Sequence, residues 1–302
     1  MEDSYLLFGD FMARLLMSKK TMSKIKSKIK IENSSLSKAL VNPKNGVKTN
    51  IVIHEKVSNL VNPVLIEGLP GIGFVGKLAA EHLVSELKAK KIATLYSHHF
   101  PHQVMINKDG TIKMITNEFY LYKDPKKKND LIILIGDVQP VSSRAQFEVM
   151  NIILEFFASL GGSRIITLGG YGVGKLVDKP RVFGAVTDKD EVDYYKKFGV
   201  SFGEVEGSII GAAGILLGLG QLKGMKGLCL MGETHGSYID HKSAQSVVEI
   251  LSKIVGIKVN VEKLTEKAME SEVIIKKLEE ELTKGQGPME MPKKPSDISY
   301  IR

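Results

Sequence analysis

Two periodicities run through the chain. Short runs of four to eight residues that are apolar throughout or that alternate predict strands. Longer stretches with apolar residues three and four apart predict helices. TNIVIHEK (49–56), PVLIEG (63–68), KIATLYSHH (91–99), LIILIGD (131–137), RIITLGG (164–170), RVFGAVTD (181–188) and KGLCLMGET (226–234) read as strands. FVGKLAAEHLVSELKAK (74–90), with Leu78, Ala79, Leu83 and Leu87 on one face, reads as a helix. So do 142–162, 190–199, 207–220, 243–256 and 261–282. QVMIN (103–107) and TIKMITNEFYLY (111–122) flank Lys108-Asp109-Gly110, the signature of a β-hairpin.

LIILIGD is nearly continuous apolar sequence, as expected of a strand buried on both faces of a parallel sheet. Strand and helix alternate over most of the length. The expected fold class is therefore α/β, a mainly parallel sheet flanked by helices, with a C-terminal helix and a flexible tail. The pattern divides the 302 residues into a basic leader (1–48), an α/β domain (49–258), a helix (259–283) and a Pro- and Gly-rich tail (284–302).

The net charge of +8 invites a nucleic-acid reading, but its distribution weakens it. Residues 1–50 hold ten Lys and Arg against four Asp and Glu, which leaves only +2 for the rest. The leader reads as a solvated or disordered extension rather than a binding arm, and few aromatics lie between its lysines to stack on bases. Met17 and Met22 offer alternative starts. No apolar stretch is long enough to span a bilayer. The single cysteine, Cys229, excludes an intrachain disulfide and fits a reducing, cytoplasmic setting.

Two glycine-rich stretches invite a cofactor. Gly71, Gly73 and Gly76 spell G-x-G-x-x-G between a strand and a helix, as in a dinucleotide-binding turn. That chemistry also wants an acidic residue ~20 positions on to hold the ribose. The chain has none between Glu86 and Asp109. The alternative is a tight turn with close helix–sheet packing. GGYGVGKL (169–176) approaches a P-loop, but Leu176 stands where a hydroxyl should hold magnesium and Pro180 prevents a following helix.

His98, His99 and His102 cluster at a strand end, where neighbours point to opposite faces and chelate poorly. His235 and His241, with Glu233 and Asp240, are a weak metal candidate beside a structural reading. Cys229 reads as core, and Ser142 or Ser143 as a helix cap. No nucleophile–base pair emerges. The expectation is no catalytic residues, no metal and no cofactor.

Four blocks in this order carry a resemblance: IEGLPGIGFVGKLAAEHL (66–83), LIILIGDVQPVSSRAQFEVMNIILEFF (131–157), LGGYGVGKLVDKPRVFGAVTD (168–188) and GSIIGAAGILLGLGQLKGMKGLCLMGETHG (207–236). The chain resembles the proteasome assembly chaperone family, in its archaeal branch. The resemblance implies a phosphorylase-like topology and no enzymatic activity. It also implies homo-oligomers that act as ATP-independent chaperones or activators on the α-subunits of the proteasome core particle. It makes Gly68, Pro70, Gly71, Gly73, Gly76, Gly169, Gly170, Gly172, Gly174 and Lys175 family-motif turn residues. The competing reading is a phosphate- or nucleoside-binding module or enzyme that uses the same turns.

Proteasome activators end in hydrophobic–tyrosine–any residue. This chain ends Tyr300-Ile301-Arg302, with the tyrosine shifted by one, so the match is partial. A flexible linker, an apolar-aromatic end and a free carboxylate still suit docking, against the alternative of a merely disordered terminus. The helix at 261–282 reads equally as a stalk projecting the tail or as a helix packed on its own domain.

Overall fold

A computed structural model describes residues 41–42, 46–204, 206–271 and 273, with side-chain surroundings from Lys48 onward. By contacts the chain divides into units 1–46 and 47–302, and everything below concerns the second. The strands are β1 (Asn50–Ile53), β2 (Val64–Gly68), β3 (Lys90–Tyr96), β4 (Val104–Ile106), β5 (Ile112–Met114), β6 (Asn117–Tyr122), β7 (Leu131–Gly136), β8 (Arg164–Gly172), β9 (Val182–Val186) and β10 (Lys226–Thr234). The helices are α1 (Val75–Glu86), α2 (Ser143–Ser159), α3 (Val192–Lys196), α4 (Ala212–Leu222), α5 (His241–Val255) and α6 (262–271).

Eight strands form one sheet in the order β9-β10-β8-β2-β7-β6-β3-β1. β10, β8, β2 and β7 are mutually parallel and make its centre. Antiparallel pairings add β9 at one edge and β6, β3 and β1 at the other. The fold is α/β, with five of the eight strands running the same way.

Helices cover both faces, which is why the central strands lack alternation. On one face α2 and α4 bury Val149, Ile153, Phe157 and Leu216 against Leu65, Ile132, Leu134 and Ile165. On the other, α1 and α5 bury Val75, Ala79, Leu83, Val247 and Leu251 against Ile66, Ile133, Leu168 and Leu230. Each fully buried Leu, Ile or Phe contributes about 1.5–3 kcal/mol by leaving water. Leu264 and Ala268 of α6 are buried too, so its described part packs on its own domain.

Several elements differ at their ends from the pattern-based reading, for local reasons. α1 starts at Val75 because Gly73 (φ 61°) and Phe74 (φ 54°) are both left-handed. α4 starts at Ala212 because Gly211 adopts φ 86°. β3 ends at Tyr96, and TIKMITNEFYLY splits at Ile115-Thr116 between the hairpin and the main sheet. β4 pairs with β5 as the hairpin. Ser142 caps α2 by accepting from the Ala145 N–H at 3.2 Å. Among the described residues no helix is long and apolar enough to cross a membrane.

Candidate functional site at the carboxyl ends of the central strands

In an open α/β sheet, ligand sites gather where adjacent parallel strands send their connections to opposite faces. Here that place lies between β2, which leads to α1, and β7, which leads to α2. Both motif stretches meet beside it.

The turn after β2 is held from three sides. Glu67 Oε1 accepts from the Leu69 N–H at 3.0 Å. Gln139 Nε2 donates to the Pro70 carbonyl at 2.7 Å, which bridges the β2 and β7 loops. The Asp240 N–H donates to the Gly73 carbonyl at 2.9 Å. The glycines make these approaches possible. A Cβ on Gly68 would lie 2.3 Å from the Gly76 carbonyl oxygen. One on Gly170 would lie 2.4 Å from the Ile72 carbonyl oxygen. Gly71 meets nothing within 4 Å.

The second stretch is mostly strand. Gly169 through Gly172 pair in register with Met231 through Thr234, so the sheet ladder engages backbone that a P-loop would leave free for phosphates. Gly174 (φ 68°) and Lys175 follow in a loop, where the Val173 N–H reaches the Thr234 carbonyl. No helix starts there.

Several polar side chains around the site are engaged or buried. The Thr234 hydroxyl donates to Asp240 Oδ2 at 2.6 Å, and Asp240 Oδ1 accepts from the Ser243 N–H at 2.9 Å to cap α5. Glu233 pairs with Arg181 at 3.3 Å, and hydrogen bonding from that guanidinium holds its carboxyl below the ordinary range. Burial pushes the Cys229 thiol up to about 12, which makes it inert core. Burial likewise pushes Glu67 up to about 8, and its Oε2 has no hydrogen-bond partner among the described residues.

The histidines are not arranged as expected. His98 and His99 sit in a turn after β3, where consecutive side chains need not oppose, and their rings lie 3.9 Å apart. His99 Nε2 binds Glu148 at 2.7 Å. His235 stacks on Tyr238, and His241 Nδ1 lies 3.3 Å from the Ser271 hydroxyl. Among the described residues no group of three or more His, Cys, Asp or Glu is placed to hold a metal.

Around these carboxyl ends several apolar side chains are exposed, beside the exposed Arg144, Lys175 and Asp178. Ile72, Phe74, Leu176 and Ile239 are each 41–52 % exposed, and Val141 is 73 % exposed. Such a rim suits contact with a macromolecule better than polar chemistry. Sequence reading overlooked Glu67 and the Thr234–Asp240 pair. A lone acid in the apolar run VLIEG was the available signal for Glu67. Tyr300, Ile301 and Arg302 lie outside the described residues.

The profile of the PAC2 family matches residues 65–279, most of the chain and both motif turns. The chain belongs to the PAC2 family. As a PAC2 protein it is 45% identical to PbaB of Pyrococcus furiosus, described as an archaeal proteasome activator. The likeness covers 77% of this chain and 99% of PbaB, with a TM-score of 0.73. PbaA of the same organism, described as an archaeal homolog of proteasome-assembly chaperone, is 30% identical. That match covers 78% of this chain and 94% of PbaA, with a TM-score of 0.64. The uncharacterized protein MJ1210 of Methanocaldococcus jannaschii is 40% identical over 256 residues, 83% of this chain and 97% of its own. The proteasome assembly chaperone family suggested by the motif blocks is thus the right one.

Proposed function

We propose that this PAC2 protein is a non-enzymatic assembly chaperone or ATP-independent activator of the proteasome. It acts in the cytoplasm as a homo-oligomer and binds the α-ring of the core particle through its C-terminal tails. The observation that carries the reading is the 45% identity to PbaB over 99% of that chain. Two further features support it. Gly68, Gly76 and Gly170 serve close backbone approaches, and the carboxyl ends of the central strands carry exposed apolar side chains.

In this reading Tyr300, Ile301 and Arg302 supply an aromatic-apolar end and a free carboxylate for pockets between α-subunits. Several tails on one oligomer bind by effective concentration, even where each is weak. The test is binding to purified core particles, comparing the full chain with a variant ending at Asp297. Loss of binding with the last five residues places the contact in the tail. Undiminished binding moves it to the folded domain, and no binding by the full chain overturns the proposal.

A further inference from the structure

A cavity of about 410 Å³ opens at the end of the sheet away from both motif turns. It lies between the starts of β2 and β8, the segment 190–195 and the last turn of α5. Its volume falls within the ~300–1,000 Å³ usual for small-molecule sites. The strands build its floor. Val64 and Arg164 are register partners at the first positions of two parallel strands. Ile166 lies two positions on from Arg164 and so shares its sheet face. Val64, Ile166 and Val255 are buried and apolar. Tyr194 lines the cavity while 49 % exposed, its ring set edge-on to those of Tyr195 and Phe198 at 5.2 Å.

Three charged side chains line it: Arg164, Asp190 and Glu191. Arg164 is already engaged. It donates to the Tyr195 hydroxyl and, at 2.9 Å, to Glu191 Oε1. Lys226, 3.4 Å from the same carboxyl, is matched by Asp188 at 3.3 Å. That leaves the exposed Asp190 carboxylate, which has no side-chain partner among the described residues. Ile254 and Val255 bring in the C-terminal end of α5, the negative end of a helix dipole, and Lys253 of that turn does not line the cavity. An anion would meet charge of its own sign here. A cation would meet a free carboxylate and an exposed aromatic ring, with an apolar floor for its stem.

We infer that this cavity binds an organic cation, an ammonium group on an apolar stem, held by Asp190 and Tyr194. The inference goes beyond the proteasome reading and does not need the tail, so the two fail or succeed separately.

The test is calorimetric titration of the full chain with phenethylamine as the probe. Phenethylamine is expected to bind at least about fivefold more tightly than 2-phenylethanol, its uncharged counterpart, or phenylacetate, of opposite charge. Asp190→Asn and Tyr194→Leu are each expected to weaken binding about threefold or more. Both side chains are exposed, so the melting temperature is expected to stay within a few degrees. Asp178→Asn, at an exposed carboxylate near the other end of the sheet, is the control and is expected to leave the affinity unchanged. Equal binding of the three probes, tighter binding of phenylacetate, no binding of phenethylamine at millimolar concentration, or indifference to both cavity substitutions overturns the proposal. Nα-acetyl-lysine methylamide separates the two sources of an ammonium. If it binds more tightly than phenethylamine, the occupant is a lysine side chain of a partner protein; the reverse order assigns a free amine. Either order supports the site.

Discussion

Gly76, in the first turn of α1, rests on the Leu168 carbonyl of β8: a Cβ at Gly76 would stand 2.1 Å from that oxygen. The contact lets the helix lie directly on the sheet and gives Gly76 a packing role. Gly76→Ala forces the helix away from a rigid backbone atom and is expected to cost at least 1–3 kcal/mol, the usual range for overpacking. Gly169 is the control, since a Cβ there meets nothing within 4 Å. Gly169→Ala is expected to stay within about 1 kcal/mol of the parent, because removing strand glycine entropy offsets small losses. Denaturant unfolding of both variants measures the contrast. Equal effects would remove the packing explanation.

Glu67 supplies a pH test. Burial raises its carboxyl from 4.5 to about 8. Below about pH 4.5 the folded and unfolded chains both hold the proton, and the group adds no pH dependence. Between these values the unfolded chain releases its proton and the folded chain keeps it, so stability falls as pH rises. The slope is at most about 1.4 kcal/mol per pH unit. Above about pH 8 the loss is complete. Glu67→Gln keeps the shape without the charge, so it is expected to flatten this slope and to exceed the parent in stability at pH 8.5. Unfolding curves at pH 5, 7 and 8.5 check it, and parallel profiles would show that Glu67 is not the titrating group.

The sheet order was not legible from periodicity, but most of its strands were. LIILIGD and RIITLGG announce buried strands because both faces are covered by helices. The ends were less visible, because the sequence does not show that Phe74 accepts a left-handed conformation or that Gly211 stops α4 from beginning earlier. The glycine motif was readable as a tight turn. Whether its glycines faced a phosphate or a carbonyl depended on β8 and β10, which are distant in sequence. The knot between Thr234 and Asp240 was hidden for a related reason. Each is an ordinary polar residue until the loop between them closes.

That knot yields a graded prediction. Asp240 caps α5 through Ser243 and accepts the buried Thr234 hydroxyl. Asp240→Ala removes both and is expected to cost about 1.5–5 kcal/mol, the sum of a lost cap and an unsatisfied buried hydroxyl. Asp240→Asn retains the capping oxygen and is expected to lose less. Because the Asp240 N–H also holds the Gly73 carbonyl, hydrogen exchange in the turn 69–74 should quicken with the alanine variant. Unchanged exchange there would show that the two loops are not coupled.

The hairpin makes the opposite prediction. Val104 pairs with Met114 and Ile106 with Ile112, which sets four apolar side chains on one face. Ile106 and Ile112 are 78 % and 71 % exposed, so they bury little within this chain. Lys113 lies on the other face, 3.6 Å from Asp137, and ties the hairpin to its own domain. Threonine keeps the β-branched shape that strands favour. Ile106→Thr with Ile112→Thr is therefore expected to change the stability of the isolated chain by no more than about 0.5 kcal/mol per site, as at other surface positions. Unfolding measured across a hundredfold range of protein concentration reads this directly. A larger loss that grows with concentration would mean that a second chain covers this face, because only an intermolecular contact makes the effect depend on mass action.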